Sequence, residues 1–224
     1  MRHAASTVMA AAVVVSSLAL AQPADPPQEQ SGSPQMGEKM SHMISRPKTP
    51  TEYAKNLQFI VDHDLLLQDD FYKEDNLKDV FNLEEVSVTD NNSMSERDIS
   101  VAANLPTSIF PRVEASELFG GSLASAGFVG GIKRAKSGSA VAGINLGMNE
   151  GGPNFEETQR IFGGGFTQLF PLPSPHGGPP PAKAPHGNES WRIYLIDSKA
   201  EKKITLSFNP VGQLRNILIE VNQK

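Results

Sequence analysis

Apolar residues recur at helical spacing in three places. Tyr53, Leu57, Ile60 and Val61 fall on one face of a helix. Thr49-Pro50-Thr51-Glu52 marks its start, with an N-cap, a proline at the first helical position and a glutamate at the third. A second helix is predicted over residues 71–81, where Leu77, Val80 and Phe81 fall at i, i+3 and i+4, with Asp69 or Asp70 as its cap. A third, short helix is predicted over residues 154–162, and Gly163-Gly164-Gly165 reads as its C-cap and a turn.

Elsewhere the period is two. Val86 and Val88 alternate with polar residues, as do Ile99 and Val101. Further strands are predicted over residues 108–113, 128–134, 140–148 and 166–170. The last 35 residues carry the cleanest pattern. Trp191, Ile193 and Leu195 alternate with Arg192, Tyr194 and Ile196, and Ile204, Leu206 and Phe208 alternate with Lys203, Thr205 and Ser207. Asn209-Pro210-Val211-Gly212 supplies a turn, and the return strand places Ile217, Ile219 and Val221 on one face. The expectation is an α+β fold: an antiparallel sheet with helices packed on one face.

Three stretches carry neither period. Residues 1–21 have a weakly basic start, an apolar run from Met9 to Leu20 and a small-x-small ending at Ala19-Leu20-Ala21. That reads as a cleavable signal peptide, its apolar run being too short to span a bilayer. Residues 22–48, of which the part to Ser45 is rich in Pro, Gln, Ser and Gly, read as a disordered tether. Residues 171–190 form a Pro/Gly-rich insert in which proline density forbids a helix or a central strand. The folded domain is therefore placed at residues 49–224, and no integral membrane segment is expected after cleavage. The chain has no cysteine, so disulfides and thiolate chemistry are excluded. Export without disulfides points to a bacterial periplasmic or secreted protein.

Charge is uneven. Residues 52–98 hold 13 acidic against 4 basic side chains, and the remainder to the C-terminus 9 against 12. With no basic stripe, nucleic-acid binding is not expected. Asp62, Asp64, Asp69 and Asp70 cluster between the first two predicted helices, followed by Phe71 and Tyr72. One reading makes these acids helix ends and caps, or part of a solvated face. The other makes them a surface that steers a partner with a basic face, with Tyr72 as an apolar anchor.

A faint internal repeat links residues 74–82 with residues 155–163: each is an acidic-started helix ending in a β-branched residue and Phe, then a small or turn residue, with several strands after it. Two tandem helix-then-meander units, over residues 49–149 and 150–224, would account for it. This pattern, with the terminal hairpin from Lys203 to Leu214, resembles the beta-lactamase inhibitory proteins and the small outer-membrane assembly lipoproteins. The resemblance implies helices on one face of an antiparallel sheet and a role in binding another protein. The chain departs from the lipoproteins in having no cysteine to lipidate, and from the inhibitory proteins in having no disulfides, and no site residue carries over.

Motifs for catalysis are sparse. Ser45-Arg46-Pro47-Lys48 fits S-x-x-K but lies in the tether and overlaps Lys48-Thr49-Pro50. Ser122 and Ser125 lack the spacing of a nucleophile elbow, and no glycine cluster precedes Lys-Ser/Thr. His176 and His186 lie ten residues apart in the insert, where with Glu189 they could bind Zn²⁺ loosely. His63, between Asp62 and Asp64, does not share a helix face with them. No cofactor or metal is expected. The sequence favours a non-enzymatic protein-binding module, most concretely an inhibitor or immunity protein for a secreted toxin or hydrolase. An envelope assembly or maintenance factor and a hydrolase with a dispersed site are the alternatives.

Overall fold

Four isoleucines, one from each of four neighbouring strands, form a row across the centre of the sheet. Ile144 pairs with Ile219, Ile219 with Ile204, and Ile204 with Ile193, and all four are buried. They sit in an eight-stranded antiparallel sheet in a computed structural model that describes residues 44–114, 123–124, 126–170, 186–197 and 199–224. Its strands are β1 (Ser87–Asn92), β2 (Glu96–Asn104), β5 (Gly127–Ala135), β6 (Ala140–Gly147), β7 (Thr167–Leu169), β8 (Ser190–Ile196), β9 (Glu201–Phe208) and β10 (Leu214–Gln223). Their order is β1-β2-β5-β6-β10-β9-β8-β7, while β3 (Val113–Glu114) and β4 (Leu123–Ala124) form a separate small pair. With helices α1 (Pro50–Asp62), α2 (Glu74–Phe81) and α3 (Phe155–Phe162), the protein is α+β, as the two periods predicted.

The alternation in sequence becomes alternation in burial. On β6, Ala140, Ala142, Ile144 and Leu146 are buried while Val141 and Asn145 are exposed. Lys202, Ile204, Leu206 and Phe208 on β9, and Ile217, Ile219 and Val221 on β10, continue the buried set. Because the side-chain period is two, one face joins the core and the other meets solvent. The β9–β10 hairpin closes as expected: Asn209 Oδ1 accepts from the Val211 and Gln213 amides at 3.2 and 2.8 Å, and Gly212 takes φ 80°. Where β5 crosses the sheet, Gly130 and Gly131 let neighbouring backbone close in. A Cβ on Gly131 would lie 2.1 Å from the Ile99 carbonyl oxygen, and one on Gly130 would lie 2.6 Å from that of Gly143.

Helix α1 starts where the sequence placed it. The Glu52 amide donates to Thr49 Oγ1, and the Glu52 carboxylate reaches back to the Lys48 amide at 2.6 Å. Its buried face carries Tyr53, Ala54, Leu57, Ile60 and Val61, and Tyr53 Oη donates to the Phe81 carbonyl at 2.7 Å, joining α1 to the end of α2. Contacts with the domain begin upstream of Thr49: Ile44 is buried, Asn56 Nδ2 donates to the Ser45 carbonyl, and Arg46 pairs with Asp79. The predicted signal peptide and most of the predicted tether, residues 1–43, lie outside the described residues.

Two predicted elements differ. The second helix begins at Glu74; residues 65–67 and 69–72 form 3₁₀ turns before it, and its N-cap, Lys73, has no side-chain capping bond. The candidate caps are engaged elsewhere, Asp69 with two arginines and Asp70 with Lys73. Within residues 108–113 only Val113 belongs to a strand. The Ile109 and Phe110 amides both donate to the Pro106 carbonyl, which turns the chain so that Phe110 is buried edge-on to Tyr53, 4.9 Å between centroids. The apolar pair Ile109-Phe110 thus anchors a turn. Residues 171–185 of the Pro/Gly-rich insert lie outside the described residues. Its end is held in place, with His186 stacked on Phe155 at 3.9 Å.

Candidate partner-binding surfaces

The four aspartates and Tyr72 follow from how the chain leaves α1. Asp62 is exposed on the last turn and accepts a hydrogen bond from Gln58 Nε2 at 2.7 Å. Asp64 adopts left-handed backbone at φ 54°, a conformation that Asp tolerates better than most residues. This turn aims its carboxylate at Lys202, with 2.6 Å between Oδ1 and Nζ. Lys202 occupies an inward position of β9, is only 6% exposed, and also donates to the Val61 carbonyl at 3.0 Å. Burial opposes the charge on Lys202, but the carboxylates of Asp64 and Asp197 outweigh it and hold the ammonium pKa above its ordinary value.

Asp69, in the 3₁₀ turn at residues 69–72, bridges one arginine from β2 and one from β5. It faces Arg97 at 2.6 Å and Arg134 at 3.4 Å, while Arg97 also grips Asp90 through two nitrogens at 3.0 and 2.6 Å. Hydrogen bonding to Arg97 holds the Asp90 carboxyl below its usual range. Asp70 pairs with Lys73 at 2.9 Å. Three of the four aspartates are therefore ion-paired within the chain. They sit close in sequence, yet their carboxylates serve different parts of the fold.

Tyr72 is a core residue, not a surface anchor. It is 1% exposed and packs edge-on to Phe71, itself fully buried. Its hydroxyl lies 2.9 Å from the Leu66 carbonyl and 3.0 Å from that of Gly131, and burial raises its pKa well above the ordinary phenol value. An aromatic pair after acidic residues looks the same in sequence whether it faces core or solvent. The backbone here turns both rings inward.

The sheet offers a second surface. Side chains on the face opposite the isoleucine row include Ala102, Val129, Val141, Asn145, Tyr194 and Ile196. Several are large and apolar yet open to solvent: Val129 is 54% exposed, Val141 57%, Tyr194 52% and Ile196 79%. The cross-strand pairs Gly127–Gly147 and Gly131–Gly143 contribute no side chain to this face. Beside them lies a depression of about 500 Å³ lined by Asn104, Val129, Asn145 and Asn216 among others. Tyr194 is oriented by Arg192, whose guanidinium lies 5.9 Å from the ring centroid and donates to the hydroxyl at 3.3 Å. Elsewhere on this face, Lys203 pairs with Glu220 at 2.7 Å and Lys133 with Glu96 at 3.0 Å. Tyr194 and Ile196 were legible as outward positions, since they alternate with Trp191, Ile193 and Leu195.

Among the described residues, no group of three or more His, Asp or Glu side chains is placed to hold a metal ion, and no helix is long and apolar enough to cross a membrane. His186 Nδ1 lies 3.5 Å from Glu189 Oε2, an oxygen that also accepts from Trp191 Nε1 at 3.1 Å. His176 lies outside the described residues. Compared with known proteins, the chain matches no protein-family model, no curated protein and no solved structure.

Proposed function

We propose that this chain is an exported, non-enzymatic module that acts by binding another protein, most concretely an inhibitor or immunity protein for a secreted toxin or hydrolase in the bacterial periplasm or outside the cell. The observation that carries the reading is the solvent-facing side of the sheet, where Val129, Val141, Tyr194 and Ile196 stay exposed and Val129 borders a depression also lined by Asn104, Asn145 and Asn216. Scattered apolar surface residues need no explanation, but Val129 and Val141 on adjacent strands, with Tyr194 and Ile196 further along the same face, give a partner a broad contact. Tyr194 has the make-up of an interface anchor: a large amphipathic ring already held in one orientation by Arg192.

In this reading the helices form a layer on the buried face, and two units make up the sheet. The strand order is symmetric about the β6–β10 pair, each half being a helix-containing segment followed by a meander whose last strand meets the other's. That arrangement supports the repeat inferred from residues 74–82 and 155–163. The acidic segment then plays a smaller part than its charge suggests, because ion pairs within the chain neutralise most of its aspartates. The exposed carboxylates that form no ion pair among the described residues, and so remain for a basic partner, include those of Asp62, Asp75, Glu84 and Glu85.

Capture from a periplasmic extract tests the proposal. Immobilised protein should retain a specific exported protein, and the variant Val129→Arg/Tyr194→Ala/Ile196→Ser should lose it with an unchanged thermal midpoint. Equal capture by that variant would move recognition off the sheet, and catalytic turnover by the purified protein would end the non-enzymatic reading.

A further inference from the structure

Helices α1 and α3 lie side by side, and the groove between them uses none of the residues discussed above as partner surface. Thr51, Lys55 and Gln58 come from successive turns of α1, and Glu157, Arg160 and Ile161 from α3. Together they line an open groove of about 440 Å³, a volume in the range of small-molecule sites. The two cations are available. Lys55 and Arg160 are exposed, and among the described residues neither forms an ion pair. Among the described residues Arg160 makes only a long hydrogen bond, 3.4 Å from Nε to the Glu156 carbonyl of its own helix. The acid in the lining is already employed: Glu157 Oε2 accepts from the Asn154 amide, and the Glu157 amide donates to Asn154 Oδ1 at 2.9 Å, closing the capping box of α3.

Gln58, also in the lining, is turned away from the cations: it donates through Nε2 to Asp62 and its Oε1 is buried. Ile161, half-buried, supplies hydrocarbon surface. Two unpaired cationic donors and an apolar wall within one small concavity match one class of ligand.

We propose that this groove binds a small soluble amphipathic anion, a phosphate or carboxylate head with a short apolar body. The head meets Lys55 and Arg160, since a guanidinium and an ammonium together suit a multi-oxygen anion. The apolar body lies on Ile161. This site is separate from the sheet face, and its fate does not depend on the protein-binding reading.

Octyl phosphate, titrated below its micelle threshold into the full chain and followed by NMR, is the probe. Shifts should centre on α1 and α3, and octanol and inorganic phosphate should each bind at least ~10-fold more weakly, because each engages half of the site. Lys55→Gln/Arg160→Gln should also weaken binding by ~10-fold or more without lowering the thermal midpoint, because both side chains are solvent-facing. The proposal is overturned if octyl phosphate does not bind, if octanol binds equally well, or if the double variant retains affinity. Co-sedimentation with vesicles of phosphatidylcholine and phosphatidylglycerol forms a second arm. Lys55- and Arg160-dependent sedimentation without binding of monomeric octyl phosphate would place the anion in a membrane and overturn the soluble-ligand assignment.

Discussion

Lys202 and Asp64 meet at 2.6 Å where the end of α1 turns over the buried face of β9. A lysine at an inward position between Leu195 and Val221 would be untenable alone; Asp64, Asp197 and the Val61 carbonyl satisfy it. Replacing Lys202 with Ala should lower the unfolding free energy by ~2–3 kcal/mol, toward the low end for a broken buried pair because the Asp64 side chain keeps partial contact with water. Asp64→Asn preserves a residue type suited to positive φ and should cost ~1 kcal/mol less than Asp64→Ala, which must adopt the same backbone without that tolerance. Urea denaturation of the three variants measures this. A neutral Lys202→Ala would show that the ammonium does not fix α1 to the sheet.

The shifted groups set the pH profile. Asp197 is held below its ordinary carboxyl value by the Ala200 and Lys199 amides and by Lys202, and Asp90 by Arg97. A depressed carboxyl contributes stability above its unfolded pKa and loses it as pH falls through the folded one. Lys202 is raised, so its contribution is complete below the unfolded lysine value and disappears as pH climbs through the folded one. Urea midpoints should therefore fall below about pH 4 and again above about pH 10.4, with a plateau between. Asp197→Asn should soften the acid limb, and Lys202→Met the alkaline limb, which Lys202 shares with Tyr53 and Tyr72, whose phenols burial also raises. Limbs unaffected by these variants would assign the pH dependence to other groups.

Tyr72 should behave as a core residue in every assay. Tyr72→Phe removes the hydroxyl that meets the Leu66 and Gly131 carbonyls and should cost ~1 kcal/mol. Tyr72→Ala empties a packed site beside Phe71 and should cost ~3–5 kcal/mol. Far-UV circular dichroism during thermal melts distinguishes the two. A Tyr72→Ala protein of undiminished stability would place the ring at the surface after all.

The elements that could be read from sequence are those decided locally. Ile204, Leu206 and Phe208 declare their face through a period of two, and Thr49 to Glu52 declares a helix start through caps that act within one turn. Long-range choices left no such trace. The pairing of β6 with β10 unites strands far apart in sequence, and nothing in Ile144 or Ile219 names the other as its neighbour. The same holds for the candidate site. Asp69 looked free because Arg97 and Arg134, which occupy it, come from two later strands. The outward parity of Tyr194 was visible, but the depression beside the glycine pairs exists only once β5, β6 and β10 lie side by side.

Four aspartates within nine residues of sequence should therefore act as separate sites. Asp62 is exposed and meets only a glutamine, so Asp62→Asn should change stability by no more than ~0.5 kcal/mol. Asp70→Asn breaks an exposed pair with Lys73 and should be similarly mild. Asp69→Asn removes the carboxylate shared by Arg97 and Arg134, both about one-third exposed, and should cost ~1–2 kcal/mol, less at high salt. The contrast extends to kinetics. If a basic partner is captured, Asp62→Asn and Asp70→Asn remove one unpaired and one paired carboxylate and should slow association slightly, whereas Asp75→Asn/Glu84→Gln/Glu85→Gln removes three unpaired charges and should slow it more at low salt. Stopped-flow association across a salt series resolves the two sets. A larger effect from the aspartates at 62 and 70 than from residues 75, 84 and 85 would restore the turn after α1 as the steering surface.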